Sequence, residues 1–105
     1  DFAEIYDCFT YSVLCTLEDF GFCKKGEGGP FAEEGNIQFG GSLPINTHGG
    51  LLNEGYLHGL NHTCEAISQL RGNGGARQVP GAGVCLVTGG AGPVGGAAVY
   101  ASNPI

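Results

Sequence analysis

Fourteen consecutive residues, Asn46 to Gly59 (NTHGGLLNEGYLHG), hold four glycines, one tyrosine and two histidines. Histidine and tyrosine move protons. Glycine lets the backbone approach a ligand closely or take a positive φ. Gly49, Gly50 and Gly55 bracket a loop that turns into a predicted helix, which places Tyr56 in its first turn. There the free N–H groups and the macrodipole favour negative charge. The phenol pKa would be drawn down from about 10, and Tyr56 would exchange protons with a substrate oxygen. Packing of Tyr56 beneath the glycines accounts for the same residues equally well.

Three other groupings invite chemistry. His58 and His62 stand at i, i+4, a metal-ligand spacing, with His48 ten residues before His58. HGLNH lacks the glutamate of HExxH and has no carboxylate where a third ligand is expected, so histidines packed against a loop or a subunit are favoured over a metal site. Gly90, Gly92 and Gly95 match GxGxxG after a predicted strand. Pro93 interrupts that turn, a strand follows instead of a helix, and no acidic ribose partner comes after it, which favours a glycine-rich hairpin beside a pocket. A cysteine activated by a histidine would be a nucleophile, but Cys8, Cys15 and Cys64 read as buried helix faces.

These groups need elements to hold them. Residues Phe2 to Tyr6 alternate as a short strand, and Val13, Leu14, Leu17 and Phe20 lay an apolar stripe on a helix ending near Gly21. Residues 24–46 carry eight glycines or prolines without a sustained period and read as one long loop, of a length that is usually functional when ordered. Leu57, Leu60, Cys64, Ile67 and Leu70 mark a second helix that starts near Asn53 to Gly55 and is closed by RGNGG. Val84 to Thr88 is a strand, GGAGPVGG a turn and Ala97 to Ala101 a further strand. The order is strand, helix, long loop, helix, strand, strand, an α/β arrangement.

Composition narrows the function classes. The 105 residues are one domain's worth of chain, with 42% hydrophobic but only 13% charged residues, low against a usual ~25%. So few charges predict apolar surface that something else covers. The net charge is −6 and the four cations Lys24, Lys25, Arg71 and Arg77 are scattered, which argues against nucleic-acid or anionic-membrane binding. Five cysteines without a CxxC pair fit reduced thiols in a cytoplasmic compartment. No apolar run approaches the ~18 residues of a membrane span, and an opening Asp1 without an initiator methionine predicts processing or excision. The 21 glycines cluster between elements without a G-X-Y period, unlike collagen or a low-complexity linker.

Three segments in order resemble the thiolase superfamily. NTHGGLLNEGYLHG is similar to its Asn-x-x-Gly-Gly…Gly-His-Pro-x-Gly loop, with Asn46, Gly49, Gly50, Gly55 and Gly59 on the Asn and Gly positions. EIYDCF resembles the His-Asp-Cys-Phe segment of the sterol carrier protein x thiolases, and CLVTGGAG resembles the Cys-x-Gly-Gly-Gly-x-Gly hairpin. The resemblance spans nearly all of residues 1–105 and implies the C-terminal part of a thiolase fold, a mixed sheet with helices that is completed by an N-terminal domain. The departures are chemical. Both family histidines are tyrosines here, Tyr6 and Tyr56, and Leu86 stands where the acid cysteine belongs. Cys85 is one residue early and points to the opposite face of its strand.

With those changes the chain looks like the lipid-transfer-protein-type thiolase-fold aldolases of bacterial steroid side-chain degradation. The resemblance implies retro-aldol cleavage of a β-hydroxyacyl-CoA to a ketone and a shorter acyl-CoA. Claisen chemistry needs a thiolate and its histidine, whereas retro-aldol cleavage needs a base for the β-hydroxyl and a group that stabilises and reprotonates the enolate. Tyr6 and Tyr56 are the expected acid/base pair, with His48 and His58 as further catalytic candidates and Asp7 as an orienter. Asn46, Gly49, Gly50, Gly89 and Gly90 are the expected substrate-binding residues, the backbone N–H groups near the four glycines lining the pocket and helping to polarise the thioester carbonyl. No metal or resident cofactor is expected, the CoA thioester being substrate. The implied partners are the N-terminal thiolase half, a second copy in a homodimer and an OB-fold acyl-CoA-associated protein. Two rival readings are a sterol carrier protein x-type acyltransferase, which requires a reactive cysteine in the N-terminal half, and a non-catalytic lipid-binding or assembly subunit.

Overall fold

Three strands pair in the order β1-β2-β3 in the computed structural model, which describes residues 1–91 and 94–104. β1 (Phe2–Glu4) runs parallel to β2 (Val84–Ala91), and β2 runs antiparallel to β3 (Val94–Ala101). Period-two alternation divides the side chains of β1 between two cores. Phe2 joins Cys85, Val87 and Ala66 on one face, while Ala3 and Ile5 join Val13, Leu17 and Leu43 on the other.

α1 (Thr10–Asp19) buries Val13 and Leu17, whereas Phe20 at the end of the expected stripe is exposed. It ends on Gly21 at φ +79, with Gly21 N–H donating to the Glu18 carbonyl and Phe22 N–H to that of Leu17, the double bond of a glycine-terminated helix. Residues 24–46 are not featureless. They include the short helix α2 (Gly28–Glu33), whose GGP start reads as a breaker although proline is tolerated in a first turn. The segment then returns to the sheet, where Ile45 forms a bridge with Ala3.

The second predicted helix starts later than expected, as α4 (Leu60–Leu70), and a separate short helix, α3 (Gly50–Asn53), precedes it. His58 at φ +52 and Gly59 at φ +88 break the helical path between them. The face assigned to α4 is also corrected. Leu57, Leu60 (65% exposed) and Cys64 face outward, and the helix buries Asn61, His62, Glu65, Ala66 and Gln69. Apolar content is a poor guide here because each buried polar side chain has partners elsewhere in the fold. Cys8 and Cys15 are half-buried, so neither they nor Cys64 are core cysteines, and all five cysteines are free. β2 and β3 continue well into GGAGPVGG, and the turn itself, with Gly92 of the GxGxxG match, lies outside the described residues. The expected apolar surface is present at Leu57, Leu60, Val94 and Val99. Among the described residues no helix is long and apolar enough to cross a membrane.

Candidate active site

β1 delivers Tyr6, and its exit is fixed on three sides. Asn46 holds Ile5 from both directions, its Nδ2 donating to the Ile5 carbonyl at 2.9 Å and its Oδ1 accepting Ile5 N–H at 2.7 Å. Thr88 Oγ1 on β2 accepts Tyr6 N–H at 3.0 Å. Asp7 accepts the N–H groups of Leu51 at 2.8 Å and Leu52 at 3.3 Å, and lies 3.0 Å from His62 Nε2. His62, fully buried, also reaches the Ile5 carbonyl through Nε2 at 2.9 Å, which places the proton on that nitrogen. Its ring lies nearly parallel to that of Tyr6, with centroids 6.2 Å apart.

Tyr56 arrives from the link between α3 and α4. Asn61 Nδ2 holds that link by donating to Glu54 Oε2 at 3.0 Å and to the Gly55 carbonyl at 3.1 Å. The outcome is a contact between residues 50 apart in sequence: the phenol oxygens of Tyr6 and Tyr56 stand 3.2 Å apart, their rings edge to face. Tyr56 is half exposed, so the pair is open to a substrate. It is not in a helix's first turn, and its pKa is pushed up to about 12, not down. The hydrogen bond with Tyr6 is the main cause, followed by partial burial, with Tyr6, Cys8 and Asp7 nearby acting in the same direction against a phenolate. Tyr56 therefore stays protonated as a phenol near neutral pH.

The other expected site residues fall into distinct places. His58 is exposed at the rim, its ring 5.2 Å from that of Tyr56. His48 lies behind the pair, its side chain only 3% exposed and its ring 4.9 Å from His62. His58 is exposed and precedes α4 whereas His62 is buried within it, and no trio of His, Cys, Asp or Glu among the described residues is grouped to hold a metal. Gly49 (φ +107) donates its N–H to the Asn46 carbonyl at 2.8 Å, and Gly50 (φ +70) packs so tightly on Asp7 that a Cβ would land on the carboxylate. Gly89 and Gly90 line a groove of about 440 Å³ with Tyr11, Ser12, Thr16 and Thr88. At Gly90 (φ +77) a Cβ would strike the Val94 carbonyl, so only glycine keeps the hairpin this close. Cys85 is fully buried, and burial pushes its thiol up to about 12. It is an inert thiol.

Sequence reasoning missed the polar network beneath the tyrosines. Glu4 shares a face of β1 with Phe2, and burial, the strongest influence on it, raises its pKa. Thr47 Oγ1 lies 3.0 Å from Glu4 Oε1 and 2.8 Å from Glu65 Oε1. One hydroxyl proton serves only one of these acceptors at a time, and the other Glu4 oxygen, Oε2, faces the His48 imidazole at 3.0 Å. Glu65 keeps its charge. Burial works to raise its pKa, but a two-point contact from Arg77, with bonds from Gln69 and Thr47, outweighs burial and holds it down at about 2. The available signal was a glutamate inside an apolar strand.

Arg77→Ala would leave the Glu65 carboxylate buried without its cation. The expected loss near neutral pH is about 2 kcal/mol, moderated because Arg77 is 51% exposed. Glu65 has a depressed folded pKa, so its contribution is present above the ordinary carboxylate range and fades as pH falls toward about 2. The gap between Arg77→Ala and the parent protein should shrink over that range, as urea unfolding of the full-length protein would show.

The chain belongs to the thiolase C-terminal domain-like family, whose description matches residues 1–101. It is 50% identical over 90 residues to the 17-hydroxy-3-oxo-4-pregnene-20-carboxyl-CoA lyase of Mycobacterium tuberculosis, covering 86% of this chain and 23% of that protein. It is 51% identical over 70 residues to the steroid side-chain-cleaving aldolase of Thermomonospora curvata, covering 67% of this chain and 18% of the relative. Among solved structures, an Ltp2-ChsH2(DUF35) aldolase superposes with a TM-score of 0.89 at 44% identity, covering 96% of this chain and 26% of that one. The chain thus spans about a quarter or less of the length of these relatives.

Proposed function

We propose that this chain supplies the proton-transferring part of a thiolase-fold lyase that cleaves a steroid-type β-hydroxyacyl-CoA by a retro-aldol reaction. The observation that carries the reading is the 3.2 Å contact of the Tyr6 and Tyr56 hydroxyls at an accessible surface. The steroid-cleaving lyase and aldolase relatives support the substrate class. As the Cα–Cβ bond breaks, a ketone forms at Cβ and the electron pair enters the thioester enolate. The β-hydroxyl proton moves to one phenol oxygen while that phenol passes its own proton across the hydrogen bond to the other, whose proton goes to Cα; both tyrosines end as phenols. No net redox change occurs. A phenol held protonated fits this bifunctional relay better than a free phenolate base would.

In the groove that Gly89 and Gly90 line, a backbone N–H of that glycine pair polarises the thioester oxygen, Gly49, Gly50 and Asn46 shape the Tyr6 and α3 junction, and His58 is the catalytic group at the rim. The enzyme needs no resident cofactor and works in the cytoplasm as a homodimer with its N-terminal thiolase half. An OB-fold acyl-CoA-associated protein is the proposed partner, in keeping with the two-component name of the solved aldolase. Supplying the full-length enzyme with a tertiary β-hydroxyacyl-CoA should yield a ketone and a shorter acyl-CoA in equal amounts. A substrate that is bound but returned intact would support a non-catalytic lipid-binding module instead.

A further inference from the structure

His48 is the one imidazole in the site with carboxylates on both sides. Its Nδ1 is 3.0 Å from Glu4 Oε2 and its Nε2 is 3.6 Å from Glu54 Oε2. Neither contact is an aligned hydrogen bond, so His48 holds these groups by charge. A neutral imidazole carries one N–H and one lone pair, and the lone pair would face a carboxylate whichever tautomer formed. An imidazolium, with a proton on each nitrogen, suits both neighbours. The groups facing His48 are Glu4 on β1, Glu54 after α3, Glu65 and His62 on α4, and Arg77 beyond it, where Arg77 is already committed to Glu65.

The two carboxylates differ in their freedom. Glu4 is fully buried and cannot leave, whereas the Glu54 side chain is 46% exposed. Glu54 and Gly55 are also the points where Asn61 grips the link, directly before Tyr56. A groove of about 270 Å³ lined by His48, Glu54, Asn61, Glu65 and Arg77 gives solvent a route to the imidazole.

We propose that Glu4, His48 and Glu54 form a charge-dependent clamp in which His48 is a positioning residue: the imidazolium holds Glu54 inward and Tyr56 against Tyr6, and loss of its proton releases Glu54 and loosens the link. Burial alone would lower the His48 pKa, but Glu4 and the charges of Glu54 and Glu65 outweigh it and the net direction is upward. With a folded pKa raised above the ordinary histidine value, the clamp is closed below that value and opens as pH rises through the folded pKa. The effect on turnover rests on the proton-transfer reading of Tyr56; the effect on the link does not.

The test is hydrogen–deuterium exchange of the full-length assembled enzyme, followed for the peptide covering residues 51–63, which holds the Glu54, Leu60 and Thr63 amide hydrogen bonds at the two ends of the link, from about pH 6 to 9 and corrected for intrinsic exchange. Protection in the parent enzyme should fall about tenfold across the histidine titration. Glu54→Gln, which keeps its shape and its contact with Asn61, should show low protection without that pH dependence, as should His48→Gln if it folds. The same variants should lower kcat/KM by roughly tenfold, less than the ~10²-fold cost of a displaced reacting group, and lose the alkaline limb of the parent profile. A parent peptide whose protection does not change with pH, or a fall that persists in Glu54→Gln, overturns the clamp. If the exchange pattern appears while no β-hydroxyacyl-CoA is cleaved, the clamp stands and the proposed function fails.

Discussion

Tyr6→Phe and Tyr56→Phe are each expected to lower retro-aldol turnover by at least ~10²-fold, the scale of a lost acid/base group, while leaving the melting temperature nearly unchanged. Phenylalanine keeps the ring of residue 6 against His62 and the edge-to-face contact between residues 6 and 56, and removes only the hydroxyls. Because the hydroxyls share one hydrogen bond at 3.2 Å and act as a unit, the double variant should fall little below either single one. KM should change far less than kcat. Near-normal turnover in both single variants would remove the relay from the mechanism, and a multiplicative double variant would mean that the two phenols act separately. Steady-state kinetics of the full assembly on one β-hydroxyacyl-CoA decides between these results.

Gly50→Ala is expected to be the most damaging change at a residue that touches no substrate in this mechanism. A methyl group there meets the Asp7 carboxylate and the backbone sits at φ +70. Left-handed strain of about 1–2 kcal/mol and overpacking of about 1–3 kcal/mol together give about 3 kcal/mol of destabilisation. Asp7 is the joint between α3, His62 and the Tyr6 loop, so displacing it should also part the tyrosines. Gly55→Ala is the informative control, because a Cβ at Gly55 meets nothing and its φ is not positive. Urea unfolding and turnover of the two variants should separate, with Gly55→Ala close to the parent protein. Equal stability of both variants would contradict the packing described around Asp7.

The contrast between those glycines shows what the sequence could and could not carry. Gly21 and the RGNGG end of α4 were legible because a helix stop is a local signal, and Val84 to Thr88 because a buried strand is a short apolar run. The inverted face of α4 was not legible. Asn61, His62, Glu65 and Gln69 are buried only because Gly55, Ile5, Arg77 and Val79 satisfy them from 6, 57, 12 and 10 residues away. Helical periodicity instead marks Leu57, Leu60 and Cys64, which form an uncovered surface. Tyr56 shows a similar limit. Family resemblance paired it with Tyr6, but its place outside the helix follows from the positive φ at His58 and Gly59, and the upward direction of its pKa from the hydrogen bond with Tyr6. Glu4 was passed over although it is a charge in an apolar strand, and its partners Thr47 and His48 lie more than 40 residues along the chain.

The central claim is that a thiolase scaffold has exchanged thiolate chemistry for a tyrosine relay. The most direct test gives the full-length enzyme two substrates in parallel, a tertiary β-hydroxyacyl-CoA without free CoA and the corresponding β-ketoacyl-CoA with free CoA. The expected result is cleavage of the hydroxyacyl substrate to a ketone and a shorter acyl-CoA without any CoA requirement, and no thiolysis of the ketoacyl substrate. CoA-dependent cleavage of the ketoacyl substrate, with the hydroxyacyl substrate left intact, would contradict it.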